Sequence, residues 1–315
     1  MKPLDKGSQA VLALIRELGR PPLHTLSPGE AREASAKSRT VLQVPPPDVA
    51  EAEDLTCPGP AGPIRLRRYR GAGTDGAAAL PCLLYMHGGG WVIGDLDSHD
   101  VICRVLANEA RCSVVAVDYR LAPEHRFPAA VEDCVAALRF VAENATQLRI
   151  DPARIAVGGD SAGGNLSAVL AIMGRDGTVP APCFQMLLYP SVDLFGRWPS
   201  FQRFTEGLIL TAPTMDWFIN HYIPTAAERT DWRASPMRHP DLAGVAPAYV
   251  MTAAFDPLVD EGTGYAQRLE REGVPVMHVH MSDQMHAFLG MGKFCTAAEL
   301  ALRQAALALA HAWKG

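Results

Sequence analysis

The chain of 315 residues is 48% hydrophobic and 20% charged, a composition that is ordinary for a globular protein with a deep core. Its net charge of −5, without a block of lysine and arginine, argues against a nucleic-acid partner, and neither a signal peptide nor the ~20 apolar residues of a membrane span are evident. The seven cysteines include no C-x-x-C pair, so we predict no metal site, no disulfide framework and a cytoplasmic location.

The N-terminal segment, residues 1–45, is predicted to form a helical cap. Residues 9–18 are amphipathic, and the run 27–30, Ser-Pro-Gly-Glu, is typical of a helix start. Three prolines at 45–47 mark the boundary with the main domain, residues 46–315. An aromatic-rich insertion within that domain, at about 195–225, is predicted to be helical and to add to the cap.

Strand-like and helical runs alternate through the main domain. The apolar, strand-like runs are 64–70, 82–86, 113–118, 154–158, 183–189, 248–254 and 276–281. The helical runs are 100–110, 129–144, 161–173, 264–272 and 297–313. Residues 53–57 are predicted to begin the sheet as an antiparallel strand. The alternation predicts an α/β fold with an eight-stranded, mostly parallel sheet flanked by helices.

Ser161 is the candidate nucleophile. It lies at the centre of Gly159-Asp160-Ser161-Ala162-Gly163, directly after the apolar run 154–158. A serine between two glycines at this spacing can occupy a sharp strand-to-helix turn that exposes the hydroxyl at the top of a sheet. A hydroxyl is a weak nucleophile, so the chain must also supply a base and an acid that orients the base.

The base must follow the serine and a plausible acid in chain order. Four histidines satisfy this condition: 278, 280, 286 and 311. We favour His286, which comes just past a predicted strand end. His278 and His280 alternate within that strand and are interpreted as structural, and His311 is expected to be exposed near the end of the last helix.

The acid is predicted to be Asp256. It follows an apolar strand, and the carboxyl ends of strands are where open α/β sheets place their sites. Asp260 is expected to cap the next helix. Asp283, three residues before His286, stays open as an alternative.

A glycine-rich loop can stabilise the oxyanion that develops during acyl transfer. The segment His87-Gly88-Gly89-Gly90-Trp91 follows the strand 82–86, and consecutive glycines let backbone N–H groups approach a ligand closely. By itself a glycine triplet is typical of a flexible turn. The preceding strand and the serine turn favour the catalytic interpretation, and the absence of a G-K-[ST] ending disfavours a phosphate site.

In combination these motifs resemble the hormone-sensitive lipase family, the bacterial family IV esterases of the α/β-hydrolase fold. The matching segments are 87–91, 118–125 (Asp-Tyr-Arg-Leu-Ala-Pro-Glu-His), 159–165 and 256–260, and the resemblance covers residues 45–315. It implies that Ser161, Asp256 and His286 form the catalytic triad. It also implies an oxyanion hole made by the N–H groups of Gly88, Gly89 and Ala162.

The resemblance also implies a substrate pocket beneath the cap. The family's cap pattern is matched at 206–207, 210–211 and 215–218. The residues predicted to bind substrate are Trp91, Asp160, Leu210, Met215, Trp217 and Phe288. The charged residues of 118–125 are interpreted as structural. Asp283 and Ala287 stand where the family usually has glycine, and Asp283 could compete with Asp256 or raise the pKa of the histidine.

The predicted function is a serine carboxylesterase that hydrolyses short- to medium-chain acyl esters through an acyl-enzyme, without metal or organic cofactor. The alternatives are an amidase, deacetylase or lactonase that acts on a specific metabolite, since no residue distinguishes these bonds. A ligand receptor is disfavoured, because the plant receptors that resemble this family lack the triad histidine. The predicted partner is a small-molecule ester, and a homodimer is possible.

Overall fold

A single eight-stranded sheet organises the computed structural model, which describes residues 2–76 and 79–314. The strands are β1 (Glu51–Gly59), β2 (Gly62–Arg70), β3 (Leu80–Met86), β4 (Ser113–Asp118), β5 (Ile150–Asp160), β6 (Gln185–Leu188), β7 (Ala248–Phe255) and β8 (Val276–Met285). Their order is β1-β2-β4-β3-β5-β6-β7-β8. The pairs β1–β2 and β2–β4 are antiparallel and the remaining pairs are parallel. The predicted sheet, including its antiparallel start, is confirmed.

Helices cover both faces of this sheet because the strand residues are apolar on both sides. Along β3, Leu84 and Met86 pack into one buried cluster, whereas Leu83 and Tyr85 pack into the other. This is the alternation that a pleated strand requires. The helices are α1 (Lys6–Glu17), α2 (Pro28–Leu42), α3 (Asp100–Ala110), α4 (Ala129–Glu143), α5 (Ala162–Arg175), α6 (Pro199–Arg203), α7 (Ala212–Tyr222), α8 (Val259–Arg271) and α9 (Ala297–Ala312).

The structure corrects the prediction for Asp260. Helix α8 begins at Val259 and not at 264, so Asp260 lies inside its first turn. The carboxylate accepts the backbone N–H of Ser200 at 2.7 Å and so ties α8 to α6. The prediction was wrong because the partner comes from a segment 60 residues away.

The predicted helical segments are present at the N-terminus and in the insertion. Helix α2 begins at a capping box in which Ser27 and Glu30 bond each other's backbone N–H groups. His24, just before α2, contacts Thr214 of α7 through Nδ1 and Oγ1, 3.1 Å apart. The N-terminal segment and the insertion therefore touch each other. Within residues 2–76 and 79–314 we find no helix that is both long enough and apolar enough to cross a membrane.

Candidate active site

Ser161 occupies the sharp turn between β5, which ends at Asp160, and α5, which begins at Ala162. Its φ of 56° lies in the left-handed region, which is strained for a residue with a side chain. A β-carbon on Gly159 or Gly163 would lie 2.2 or 1.8 Å from the carbonyl oxygen of Met86. The two flanking glycines are therefore required by the close approach of β3, and the turn holds the serine hydroxyl away from the regular path of the chain.

The other two predicted triad residues converge on this serine. Asp256 follows β7 and His286 follows β8, so adjacent parallel strands deliver both side chains to the same edge of the sheet. The Oγ atom of Ser161 is 3.0 Å from Nε2 of His286, and Nδ1 of that ring is 2.6 Å from Oδ2 of Asp256. Oδ1 of Asp256 accepts the backbone N–H of Leu258 at 2.8 Å, which fixes the carboxylate. All three side chains are buried.

The other candidates for the acid and the base do not contact Ser161 or His286. Asp283 is part of β8, and its Oδ1 accepts the side-chain amide of Gln284. His278 and His280 each approach Oγ1 of Thr252 at 3.0 Å. His311 is exposed, as expected. Of the two candidate acids, Asp256 is therefore the one that contacts His286.

The donors beside the nucleophile differ at one position from the set that the resemblance implied. The N–H of Gly88 donates to Oδ1 of Asp160 at 2.9 Å, so it is already engaged. The N–H groups of Gly89, Gly90 and Ala162 have no acceptor among the residues that the structure describes. Gly89 and Gly90 have φ values of 119° and 58°, which suit glycine. Gly90, and not Gly88, therefore has a backbone N–H without an acceptor beside those of Gly89 and Ala162 in the described part of the chain.

The carboxylate of Asp160 holds this loop against the nucleophile. Besides Gly88, it accepts the hydroxyl of Tyr85 at 2.8 Å and contacts Nε2 of His99 at 3.1 Å. Burial by itself would raise the pKa of Asp160, but His99 and Tyr85 together lower it below its usual value. Burial, with a further contribution from His99, lowers the pKa of neighbouring His87 to about 4.

Comparison with known proteins agrees with this geometry. The family described as having the alpha/beta hydrolase fold matches residues 83–290, more than half of the chain. The chain belongs to this α/β-hydrolase family. It is 40% identical over 282 residues to the ethyl acetate hydrolase of Pseudomonas putida, with 88% of each protein covered. It is 43% identical over 255 residues to the carboxylic ester hydrolase LipN of Mycobacterium tuberculosis, with 79% of this chain and 67% of that protein covered.

The similarity to solved structures covers nearly the whole chain. An α/β-hydrolase enzyme from the metagenome of Lake Arreo, Spain, crystallised as a serine-to-alanine variant, has a TM-score of 0.95 at 41% identity. The alignment covers 99% of both chains. The predicted membership of the hormone-sensitive lipase family is confirmed.

A cavity of about 210 Å³ opens beside Ser161 in this α/β hydrolase. Four of the six predicted substrate-binding residues line it: Trp91, Asp160, Leu210 and Met215. The carboxylate of Asp160 is engaged by its own protein partners, as described above. Trp91 is almost wholly buried and stacks on Tyr222 of α7 with ring centroids 4.5 Å apart. Its ring therefore joins the glycine loop to the insertion.

The structure places the other two predicted residues outside the lining. Trp217 lies on a neighbouring face of α7 and packs against its own helix at His221, whereas Met215 and Phe218 face the cavity. Phe288 is fully buried behind the wall, where its ring meets that of Tyr189. The helical period explains the error at Trp217, because a shift of one residue along a helix rotates the side chain by about 100°.

One face of α2 completes the cavity, and sequence reasoning did not identify it. Its lining residues are Ser35, Ser38, Arg39 and Leu42, followed by Gln43. The first four recur at helical spacing and share one side of the helix. Three of these four side chains are polar, and the hydrophobic pattern of α2 is weak, with only Ala31 fully buried, so the sequence pattern did not indicate this face.

The motif 118–125 has the structural role that was expected. The guanidinium of Arg120 lies 2.9 Å from Asp133 of α4. The hydroxyl of Tyr119 donates to the carbonyl oxygen of His87 at 2.7 Å. Glu124 pairs with Arg32 of α2 at 2.6 Å. The motif thus supports the glycine loop from behind and anchors α2.

Proposed function

We propose that Ser161, His286 and Asp256 carry out ester hydrolysis through an acyl-enzyme. The chain is a carboxylic-ester hydrolase of the serine type. The observation that carries the proposal is the continuous chain of contacts from Ser161 Oγ through His286 to Asp256, at 3.0 and 2.6 Å. The unengaged N–H groups beside it supply the other requirement, donors for the oxyanion.

In the first half of the reaction Ser161 Oγ attacks the ester carbonyl carbon while its proton passes to Nε2 of His286. The carbonyl oxygen becomes an oxyanion that accepts the N–H groups of Gly89, Gly90 and Ala162. When the tetrahedral intermediate collapses, the alcohol leaves with the proton from His286. Asp256 remains ionised throughout and stabilises the imidazolium.

In the second half a water molecule takes the place of the alcohol. It attacks the acyl-enzyme and gives its proton to His286, and the acid is released when Ser161 recovers that proton. No step of this reaction requires a metal or an organic cofactor.

The preferred acyl chains are short to medium. The cavity of about 210 Å³ is smaller than the roughly 300–1,000 Å³ of sites that take drug-sized ligands. Helix α2 and the insertion both line it, so the cap bounds its length. Hydrolysis of p-nitrophenyl esters from acetate to palmitate tests this: we expect a maximum at the shorter chains, and a maximum at palmitate would contradict it.

Labelling with a fluorophosphonate followed by peptide mapping tests the mechanism. We expect modification at Ser161 and loss of both labelling and turnover in Ser161→Ala. His286→Ala should be inactive, while His280→Ala, whose ring bonds Thr252, is the control that keeps activity. Modification of another residue, or undiminished turnover of Ser161→Ala, would overturn the assignment.

A cytoplasmic location is proposed together with this activity. All seven cysteines are free, and six of them are buried, which suits a reducing compartment. The oligomeric state, a possible homodimer, remains a prediction that size-exclusion chromatography with light scattering would decide.

A further inference from the structure

A second cavity, of about 360 Å³, lies between α3, α9 and the linker that follows α2. The residues that line its interior are mainly apolar and include Val44, Val101, Val105, Leu289 and Leu302. The triad and the oxyanion donors lie outside this lining. The steps of the proposed reaction therefore do not account for the cavity.

Charged residues close the second cavity on its solvent side. Arg303 of α9 pairs with Glu109 of α3 at 3.2 Å and with Glu299 of its own helix at 2.8 Å. All three side chains are exposed and also line the cavity. An apolar interior that ends at a charged, hydrated rim suits an uncharged alkyl chain, because such a chain gains free energy when it leaves water.

A thin wall separates this cavity from the one beside Ser161. Three residues line both cavities: Gln43, Ile102 and Gly290. Nε2 of Gln43 donates to the carbonyl oxygen of Ser98 at 2.7 Å, which holds the side chain across the gap. Among the described residues, a β-carbon on Gly290 would come within 4 Å of one atom only, the same Nε2, at 3.9 Å. Since Gly290 has no side chain and Ile102 belongs to the buried core, the amide of Gln43 is the part of the wall that a substitution can remove.

We propose that Gln43 determines the length of alkyl chain that the active site accepts. With the amide in place, a chain that extends from Ser161 along the first cavity stops at the hydrogen bond between Gln43 and Ser98. Without the amide, the same chain continues into the second cavity as far as the ion pairs of Arg303. The inference rests on the proposed function and deepens it, because it names the residue that limits chain length in the same site.

A third, charged hollow also borders Gln43 but does not suit an alkyl chain. Its lining includes Arg67, Asp97 and Arg104. An alkyl chain placed there would remove water from charged groups without offering them hydrogen bonds, which costs free energy. The apolar second cavity is therefore the destination that opens when Gln43 is shortened.

The test measures how Gln43→Ala changes the chain-length preference. The quantity is the ratio of kcat/KM for a ten-carbon chain to that for a four-carbon chain. Burial of each further methylene group is worth about fourfold in kcat/KM, so we expect the ratio to rise about 10-fold or more. Thr40→Ala is the control, because Thr40 lies near the same end of α2 and lines neither cavity. Its ratio should equal that of the wild type.

Two substrate series distinguish the two chains of an ester. In p-nitrophenyl butyrate and decanoate only the acyl chain varies, whereas in butyl and decyl acetate only the alcohol chain varies. A raised ratio in the first series identifies the acyl chain as the occupant of the second cavity, and a raised ratio in the second series identifies the alcohol chain. An unchanged ratio in both series would overturn the proposal.

Refilling the wall from its other side separates a steric role from general loosening of the site. A leucine at 290 has room once the Gln43 amide is gone, and the φ of Gly290 lies outside the left-handed region. The double variant Gln43→Ala/Gly290→Leu should therefore return the ratio to within about twofold of the wild type. A double variant that keeps the raised ratio would contradict the assignment of Gln43 as the barrier.

A milder substitution keeps the proposal testable if Gln43→Ala does not fold. Gln43→Asn retains the amide and is shorter by one methylene group, so its ratio should rise by about two- to fourfold. An unchanged ratio in Gln43→Asn would then overturn the proposal. Failure of the proposed function has a different signature, because butyrate hydrolysis by the wild type would then persist in Ser161→Ala.

Discussion

Gly163, at the start of α5, packs against the carbonyl oxygen of Met86, the last residue of β3. A β-carbon on Gly163 would lie 1.8 Å from that oxygen, and 2.9 Å from the carbonyl oxygen of His87. The nucleophile turn and the glycine loop are thus in backbone contact. Any side chain at 163 must push apart the two segments that the chemistry needs together.

Gly163→Ala is therefore expected to lower both stability and activity. Overpacking of this kind costs about 1–3 kcal/mol, and displacement of the loop should reduce kcat at least tenfold. Thermal unfolding and ester hydrolysis measure the two effects. Gly29→Ala is the control, because a β-carbon at Gly29 meets nothing within 4 Å; its melting temperature should stay the same or rise. Equal melting temperatures and equal kcat values for Gly163→Ala and Gly29→Ala would contradict this prediction.

The identity of the triad acid is tested by a matched pair of amide substitutions. Asp256→Asn keeps the shape but leaves His286 Nδ1 with the wrong partner, and such a change lowers kcat about 10⁴-fold in a serine triad. Asp283→Asn should leave kcat and its pH profile close to wild type, because the structure pairs Asp283 with Gln284. Steady-state kinetics across pH distinguish the two acids. A large loss in Asp283→Asn would reopen the alternative that the sequence left.

Arg32 anchors α2 over the cavity. It donates to the carbonyl oxygens of Val92 and Ala122, and both of its terminal nitrogens bond Glu124. The hydrogen bonds from the Arg32 guanidinium lower the pKa of Glu124 from 4.5 to about 2. A lowered carboxyl pKa contributes stability above pH 4.5 that is lost as pH falls toward 2.

Glu124→Gln should accordingly be less stable than wild type at pH 7. The difference in melting temperature should shrink as the pH falls from about 4.5 to 2. Since Glu124 is more than half exposed, we expect a modest effect of a few degrees at most. Glu33→Gln, at an exposed position on α2, is the control. A difference that does not depend on pH would show that the ion pair is not its source.

Glu261 is a buried acid beneath the loop that follows β6. Its Oε1 accepts the backbone N–H groups of Val192 and Asp193 at 2.7 and 3.3 Å. Burial, with a smaller contribution from Asp193, raises the pKa of Glu261 from 4.5 to about 8. The folded state therefore binds a proton that the unfolded state releases between pH 4.5 and 8, so this group makes the protein less stable as pH rises through that window.

Glu261→Gln retains the acceptor oxygen and removes the buried charge. Its stability relative to wild type should increase by on the order of 1 kcal/mol or more between pH 5 and 9. Chemical denaturation at the two pH values measures this change. Glu270→Gln, exposed on the same helix, should show no such trend. A variant that loses stability relative to wild type as pH rises would reverse the predicted sign.

The sequence by itself determined the elements and the order of the triad. Strand and helix periods are local, and they located every strand of the sheet to within a few residues at most ends. Ser161, Asp256 and His286 were identifiable because each follows a strand, and parallel strands end at one edge of the sheet. The need for glycine at 159 and 163 was likewise visible as a pattern, although its cause, the approach of Met86, was not.

Only the tertiary structure decided which polar groups already have a hydrogen-bond partner within the protein. The N–H of Gly88 is satisfied by Asp160, 72 residues away, and Asp260 bonds the distant Ser200. Likewise the cavity is lined by Phe218 and not by Trp217, and one face of α2 also lines it. These outcomes depend on how separate segments pack, which a local pattern does not encode. A hydrogen-bond donor is available to substrate only if no distant residue claims it first.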